Sequence, residues 1–181
     1  MIRDLRGFEL RLILILVMAS VLASSVTASA AKAPDFSLPN LEGKQIKLSD
    51  LLKRGPVIID FWATWCKPCI KAFPGLQEIY DKYRERGLTV VAISVDSPRT
   101  QARVAPFIKS SKYSFEVLLD KDGRVARQYN AVVIPRTVLV DQKGQMVFAS
   151  IGYRPSNHKK LEEALTSILP AAPEGNDEAK E

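Results

Sequence analysis

Residues 57–69 read VIIDFWATWCKPC, from Val57 to Cys69, and the fold is decided by how this stretch is read. Its first half, residues 57–62, is a continuous apolar run with one acid, Asp60, inside it. So short and so apolar a run fits a strand buried on both faces, as at the centre of a parallel sheet. The second half carries two cysteines, Cys66 and Cys69, with two residues between them. Pro68 then opens a helical pattern in which Ile70, Phe73, Leu76, Ile79, Tyr80 and Tyr83 recur on one face. Pro74 falls inside the pattern and predicts a kink, and Gly87 ends it. A strand that delivers a cysteine to the start of a helix sets its sulfur against unpaired N–H groups and a positive partial charge. Both favour thiolate over thiol, Lys67 adds to the effect, and thiolate is the form that attacks disulfides. Cys69 lies one turn on along the same helix face, placed to resolve a mixed disulfide formed at Cys66. Pro68 stiffens the turn and removes an N–H that the helix has no use for.

The rest of the chain supplies an α/β framework for this centre. With 181 residues there is room for one domain with a core of its own. Residues 33–40 are an extended, Pro-flanked lead, 41–44 a turn and 45–48 a short returning strand, together an N-terminal β-hairpin. Ser49 is the expected cap of a short helix over 50–53, which Gly55-Pro56 ends. Residues 88–95 form a second buried strand. Ser97-Pro98 then predicts a helix to about residue 110, with a second kink at Pro106. A strand over 115–119 leads through Asp122-Gly123 into a short helix ending at Gln128. Strands over 137–140 and 145–151 flank Asp141-Gln142-Lys143-Gly144, a hairpin signal, and Ser156 begins a last amphipathic helix. Strands alternating with helices, closed by a hairpin and a helix, predict a mixed sheet covered on both sides.

The ends read differently from the middle. Arg3, Arg6 and Arg11 precede an unbroken apolar run over residues 12–22, and Ala28-Ser29-Ala30 offers a small-x-small cleavage site. Residues 1–30 therefore read as a secretory signal cut before Ala31, with an uncleaved membrane anchor as the alternative. Either way the domain over 31–169 is expected outside the cytoplasmic membrane, in a periplasmic or other extracytoplasmic space. The anchor alternative would be its one membrane contact. Residues 170–181 are polar, acidic and Pro-containing, and are expected to be a disordered tail. The formal charge is +6, of which the leader holds +1. The remaining excess is scattered, with no basic block interleaved with aromatics, so nucleic acid is not an expected partner. Two cysteines in one C-x-x-C close almost no loop, so a purely structural disulfide is a poor account of them.

Taken together, APDFSLPNLEG, FWATWCKPC, the stretch over 129–141 ending IPRTVLVD and the hairpin DQKGQMV resemble thioredoxin. More closely they resemble the exported TlpA/ResA-type thioredoxin-like proteins, over residues 33–169. The resemblance implies a thioredoxin fold with the added N-terminal hairpin and a central βα insert over 97–113. It implies a thiol–disulfide oxidoreductase with no cofactor beyond its own Cys66–Cys69 disulfide, acting on exported cysteine-containing proteins and kept reduced by a membrane thiol donor. Cys66 is the implied nucleophile and Cys69 the resolving thiol. Asp60 matches thioredoxin's buried acid, whose raised pKa lets it move a proton for Cys69. Pro135 matches the family's cis-proline, and the backbone of Ile134 beside it can pair with a substrate strand. Trp65, Lys67, Pro68, Ile134 and Pro135 are thus the candidate substrate-binding positions, while Trp62 reads mainly as core.

Two departures bear on specificity. Many ResA-like proteins carry an acid three residues after the second cysteine, linked to recognition of apocytochrome c, and here that position is Ala72. Val133 stands where many relatives have glycine. Four other readings compete with the reductase. A disulfide-donating oxidase would use the same dithiol in reverse. A metallochaperone would need more ligands than two cysteines and the lone His158, so no metal is expected. A non-catalytic binding module would have no need of the C-x-x-C, the acid and Pro135 together. A peroxidatic site is disfavoured because Trp65 occupies the residue before Cys66.

Overall fold

A computed structural model provides the structure and describes residues 31–169. The leader over 1–30 and the tail over 170–181 lie outside the described residues. The order begins with β1 (Ser37–Pro39), β2 (Gln45–Lys47), α1 (Leu48–Leu51), β3 (Val57–Trp62), α2 (Lys67–Tyr83) and β4 (Thr89–Ser94). It continues with α3 (Val104–Ser111), β5 (Glu116–Leu119), α4 (Arg124–Gln128), β6 (Arg136–Val140), β7 (Met146–Ile151) and α5 (Pro155–Ile168). Five strands form one sheet in the order β5-β4-β3-β6-β7. β3 runs parallel to β4 and antiparallel to β6, so the apolar run is central, as expected, in a sheet that is mixed rather than wholly parallel.

Every residue of β3 is buried because alternate side chains enter different cores. Ile58 and Trp62 face a core built with α2, α3 and α5, around Phe73, Val104, Leu161 and Leu165. Val57, Ile59 and Phe61 face the other, built with the β1–β2 hairpin, α1 and α4, around Phe36, Leu48, Val125 and Tyr129. The hairpin turns on Asn40, whose Oδ1 accepts the N–H groups of Glu42 and Lys44 at 3.1 and 2.9 Å. Asn40 Nδ2 donates to Glu116 at 3.2 Å and ties the hairpin to β5.

Three local expectations need correction. Ser49 does not cap α1, which starts one residue earlier at Leu48; the Asp35 carboxylate, brought over from the lead segment, accepts the Ser49 N–H at 3.0 Å. Ser97-Pro98 does not open a helix. The Ser97 carbonyl instead accepts the N–H groups of Thr100 and Gln101, both at 2.9 Å, and a 3-10 turn over Gln101–Arg103 precedes α3. Pro106 consequently falls in the first turn of α3, where its missing N–H has no helical partner to lose. α2 does continue through Pro74. Beyond it, a 3-10 turn over Arg84–Arg86 ends at Gly87, whose φ of 89° suits glycine. A Cβ there would lie 2.7 Å from the Arg54 main-chain oxygen. No described helix is long and apolar enough to cross a membrane.

Phe73 organises the core beneath the cysteines. Its ring lies 4.8 Å from Trp62, 5.2 Å from both Tyr113 and Phe115, and 6.4 Å from Phe107, between centroids. Phe73→Ala should cost about 3–5 kcal/mol, the range for truncating a buried aromatic. Urea unfolding would measure it, and a loss below about 1 kcal/mol would mean the cluster closes over the gap.

Candidate active site

Cys66 is the N-cap of α2. Its backbone is extended (φ −85°, ψ 91°), and its sulfur accepts the Cys69 N–H at 3.3 Å. Lys67 and Pro68 take the first two helical positions, where a proline removes no intrahelical bond. Both side chains are exposed. A disulfide joins Cys66 to Cys69 across a Cα–Cα distance of 5.3 Å. Cys66 is 4% exposed and Cys69 fully buried, so an incoming sulfur meets Cys66 first.

Asp60 lies on the face of β3 that carries Ile58 and Trp62, the face that packs Cys69. It is 2% exposed. Its Oδ1 accepts the Thr137 hydroxyl at 2.7 Å from β6, and its Oδ2 has no partner. Burial pushes its pKa up to about 7, and the Thr137 bond offsets only part of that rise. The carboxyl is therefore poised between its two protonation states near neutral pH.

The Ile134–Pro135 peptide bond is cis. It leads directly into β6, whose Arg136 pairs with Phe61, and so lies at the same end of the sheet as Cys66. Around this end the surface is apolar: Trp65 is 59% exposed, Val132 86% and Val133 57%. Trp62, by contrast, is wholly buried against Phe73 and Phe107. Ala72, Pro135, Thr137, Tyr153 and His158 line a cavity of about 10 Å³ beside the cis bond, room for about one water. Ala72 thus puts a methyl group and no acid on this wall. Among the described residues, no group of three or more His, Cys, Asp or Glu side chains stands together as metal ligands.

The fold brings Cys66, Cys69, Asp60, Trp65, Ile134 and Pro135 to one end of the sheet. It adds residues that local sequence did not mark. Thr137 becomes Asp60's partner through the β3–β6 register, which pairs the two directly. Asp96, at the end of β4, accepts both the N–H and the hydroxyl of Thr64. His158 is half-buried where its ring packs on Gly75 of α2, and burial lowers its pKa. The one available signal was a lone acid closing an apolar strand, as at Asp96; the strand pairing that gives Thr137 its role has no local signature.

Residues 30–149 match the AhpC/TSA family. The thiol-disulfide oxidoreductase ResA of Bacillus thuringiensis subsp. konkukian is 37% identical over 139 residues, 77% of this chain and 78% of that protein. Among solved structures, a DsbE-type thiol:disulfide interchange protein of Chlorobium tepidum superposes with a TM-score of 0.72. It is 33% identical, with 78% of this chain and 98% of that one covered. StoA of Bacillus subtilis gives a TM-score of 0.61 at 30% identity, covering 73% of this chain and 96% of that one. The sheet order, the hairpin and these likenesses together give the thioredoxin-like fold.

Asp60 makes stability depend on pH in a direction that can be worked out. Its folded pKa of about 7 lies above the ordinary carboxylate value. The unfolded chain thus loses the proton first as pH rises, and stability falls between about pH 4 and pH 7. Below that window the contribution is intact; above it the loss is complete, with a ceiling of about 4 kcal/mol. Asp60→Asn, whose amide carbonyl still accepts from Thr137, should flatten this dependence and leave the oxidised protein more stable than the wild type at pH 8. Denaturant titrations at acidic and alkaline pH measure both effects. Parallel curves for the two proteins would refute the assignment.

Proposed function

Since the chain belongs to the AhpC/TSA family and is a thiol–disulfide oxidoreductase, we propose that it reduces disulfides of exported proteins through Cys66 and Cys69. Its substrates are protein thiols and disulfides. One observation carries the chemistry: a dithiol pair at a helix N-terminus whose outer sulfur accepts an N–H and whose inner sulfur is buried on the same face as a carboxyl titrating near 7.

In the reducing direction, the Cys66 thiolate attacks one sulfur of the substrate disulfide. That S–S bond breaks, a mixed disulfide forms, and the first substrate thiolate leaves. The Cys69 thiol gives its proton to the Asp60 carboxylate and attacks the Cys66 sulfur. The mixed disulfide breaks, the Cys66–Cys69 disulfide forms, and the second substrate thiolate leaves. Two electrons have passed to the substrate, and a thiol donor must return them to the pair. The protonated Asp60 is ready to give its proton back on that return. In this reading the Ile134 main chain beside the cis Pro135 holds the substrate strand, and Trp65, Lys67 and Pro68 border the sulfur it delivers; the cis bond at the Cys66 end of the sheet supports it.

The basic and apolar leader over residues 1–30 supports an extracytoplasmic location, where a membrane thiol donor would supply the electrons. The family resemblance supports the reducing direction. Running the same steps backwards donates a disulfide, and the potential of the couple separates the two. A value near roughly −270 mV or below fits a reductant, and one near roughly −120 mV a disulfide donor. Trp65 beside the pair offers a fluorescence signal for the titration. Independently, Cys69→Ser should accumulate a mixed disulfide with a protein substrate at Cys66, seen as a gel shift reversed by thiol. Cys66→Ser should accumulate none and lose turnover by at least a hundredfold, on the order expected when a nucleophile is removed. Retained turnover in Cys66→Ser would refute the roles.

A further inference from the structure

We infer that Asp96 and Thr64 are positioning residues for the exchange reaction: Asp96 clamps the turn at residues 63–65 to the end of β4 and so holds Cys66 on the first turn of α2 when the disulfide is open. This inference rests on the proposed role of Cys66 as attacking thiolate.

The clamp is made of short bonds to a buried group. Asp96 is 1% exposed. Its Oδ2 accepts the Thr64 N–H at 2.8 Å and the Ser94 hydroxyl at 3.0 Å, and its Oδ1 accepts the Thr64 hydroxyl at 2.7 Å. The Ser94 oxygen in turn accepts the Asp96 N–H at 3.1 Å. Three donors on one buried carboxylate make charge-assisted bonds, stronger and more directional than neutral ones. The anchor is itself fixed, because the Val95 N–H donates to the Trp62 carbonyl at 2.8 Å and carries the β3–β4 pairing to the last residue of β3. On the other side of Thr64, the Cys66 N–H donates to the Ala63 carbonyl at 3.0 Å and closes the turn. The whole connection from β3 to α2 is thus tied at its corner to the neighbouring strand.

While the disulfide is closed, Cys66 is also held covalently by Cys69. Reduction removes that tie. The benefit of a helix N-terminus to a thiolate falls off within one turn, so the sulfur gains it only while it stays on the Cys69 N–H. What remains is that weak bond, the Ile70 N–H on the Cys66 carbonyl at 3.1 Å, the closed turn and the clamp. Loosening the corner lets the sulfur leave the helix end, which raises its thiol pKa and slows its attack.

A field effect would act with the opposite sign. Asp96 carries a negative charge, and removing it without disturbing the turn would lower the pKa of a nearby thiol. Other charged groups on the elements that end here include Asp60 of β3, Lys67 of α2, Arg99 and Arg103 after β4, Asp120 after β5 and Arg136 of β6, and none of them changes in a Thr64 variant. Thr64→Val keeps the shape and every charge and removes only the hydroxyl donor to Asp96.

The test uses the full chain in its reduced form, with iodoacetamide alkylation of Cys66 followed across a pH series and insulin as the disulfide probe. Thr64→Val should alkylate roughly three- to tenfold more slowly at neutral pH, as a rise of half to one pKa unit produces, with the profile displaced to higher pH. Thr64→Ser, which keeps both bonds, should restore the wild-type profile, and insulin turnover should follow the thiolate. Asp96→Asn should also alkylate more slowly despite losing a negative charge. Thermal unfolding of the oxidised forms shows that each variant is folded. If Thr64→Val does not fold, Thr64→Ala, which removes the same hydroxyl, takes its place. A wild-type profile in the Thr64 variant, or faster alkylation in Asp96→Asn, overturns the clamp. Failure of the wild type itself to reduce insulin would sink the proposed function and leave the alkylation comparison to judge the clamp alone.

Discussion

The hydrogen-bond ladders along both edges of β3 leave that strand no side toward water. Parallel pairing with β4 and antiparallel pairing with β6 place it at the centre of the sheet, and its alternating side chains enter two separate cores. Such a strand cannot slip by one residue without exchanging Asp60 and Trp62 for Phe61 in the core around Phe73. Register is thereby held, and with it the point where the chain leaves the sheet. Cys66 arrives at the start of α2 because the strand end, the closed turn at Ala63 and the first helical turn follow without a free residue between them.

Three buried acids show how partners set the behaviour of a carboxyl. Asp120 acts as a cap, accepting the N–H groups of Val125 and Ala126 at 3.2 and 2.7 Å at the start of α4, bonds that offset part of the rise burial gives its pKa. Asp96 takes three donors and becomes a fastening. Asp60 has one neutral hydroxyl and an oxygen without a partner, so burial dominates and the group titrates near neutrality. An arrangement that leaves a buried oxygen unsatisfied costs stability, and it lies on the face of β3 that packs the buried sulfur.

The surface around the pair suits a substrate of a particular character. Trp65, Val132 and Val133 are exposed apolar side chains at one end of the sheet, beside a sulfur that shows only a sliver of itself. Exposed apolar surface of this kind is what protein–protein contact sites present. The cavity beside Pro135, with Ala72 on its wall, takes about one water and no large side chain. Specificity is thus expected to come from the exposed rim rather than from a deep pocket.

What local chemistry governs was legible from the chain. The buried strand, the amphipathic helix after it, the C-x-x-C between them and the hairpin at Asp141–Gly144 all rest on contacts a few residues apart, and composition and period report such contacts. Errors fell where another segment or a local main-chain turn displaced the expected signal. Asp35, from the lead segment, took the capping role expected of Ser49, and the Ser97 main chain turned where its side chain was expected to start a helix. The family motif brought Asp60, Ile134 and Pro135 to attention by position. The bond that offsets part of the rise at Asp60 waited on Thr137, 77 residues away in sequence, and the Thr64 turn on Asp96, 32 residues away. The sequence by itself determined which residues could do sulfur chemistry and on which elements they stand, since strand and helix periodicity are local properties of the chain. Only the tertiary structure decided which carboxyl is left unsatisfied and which is clamped, because burial and hydrogen-bond partners are set by strands that meet across the sheet.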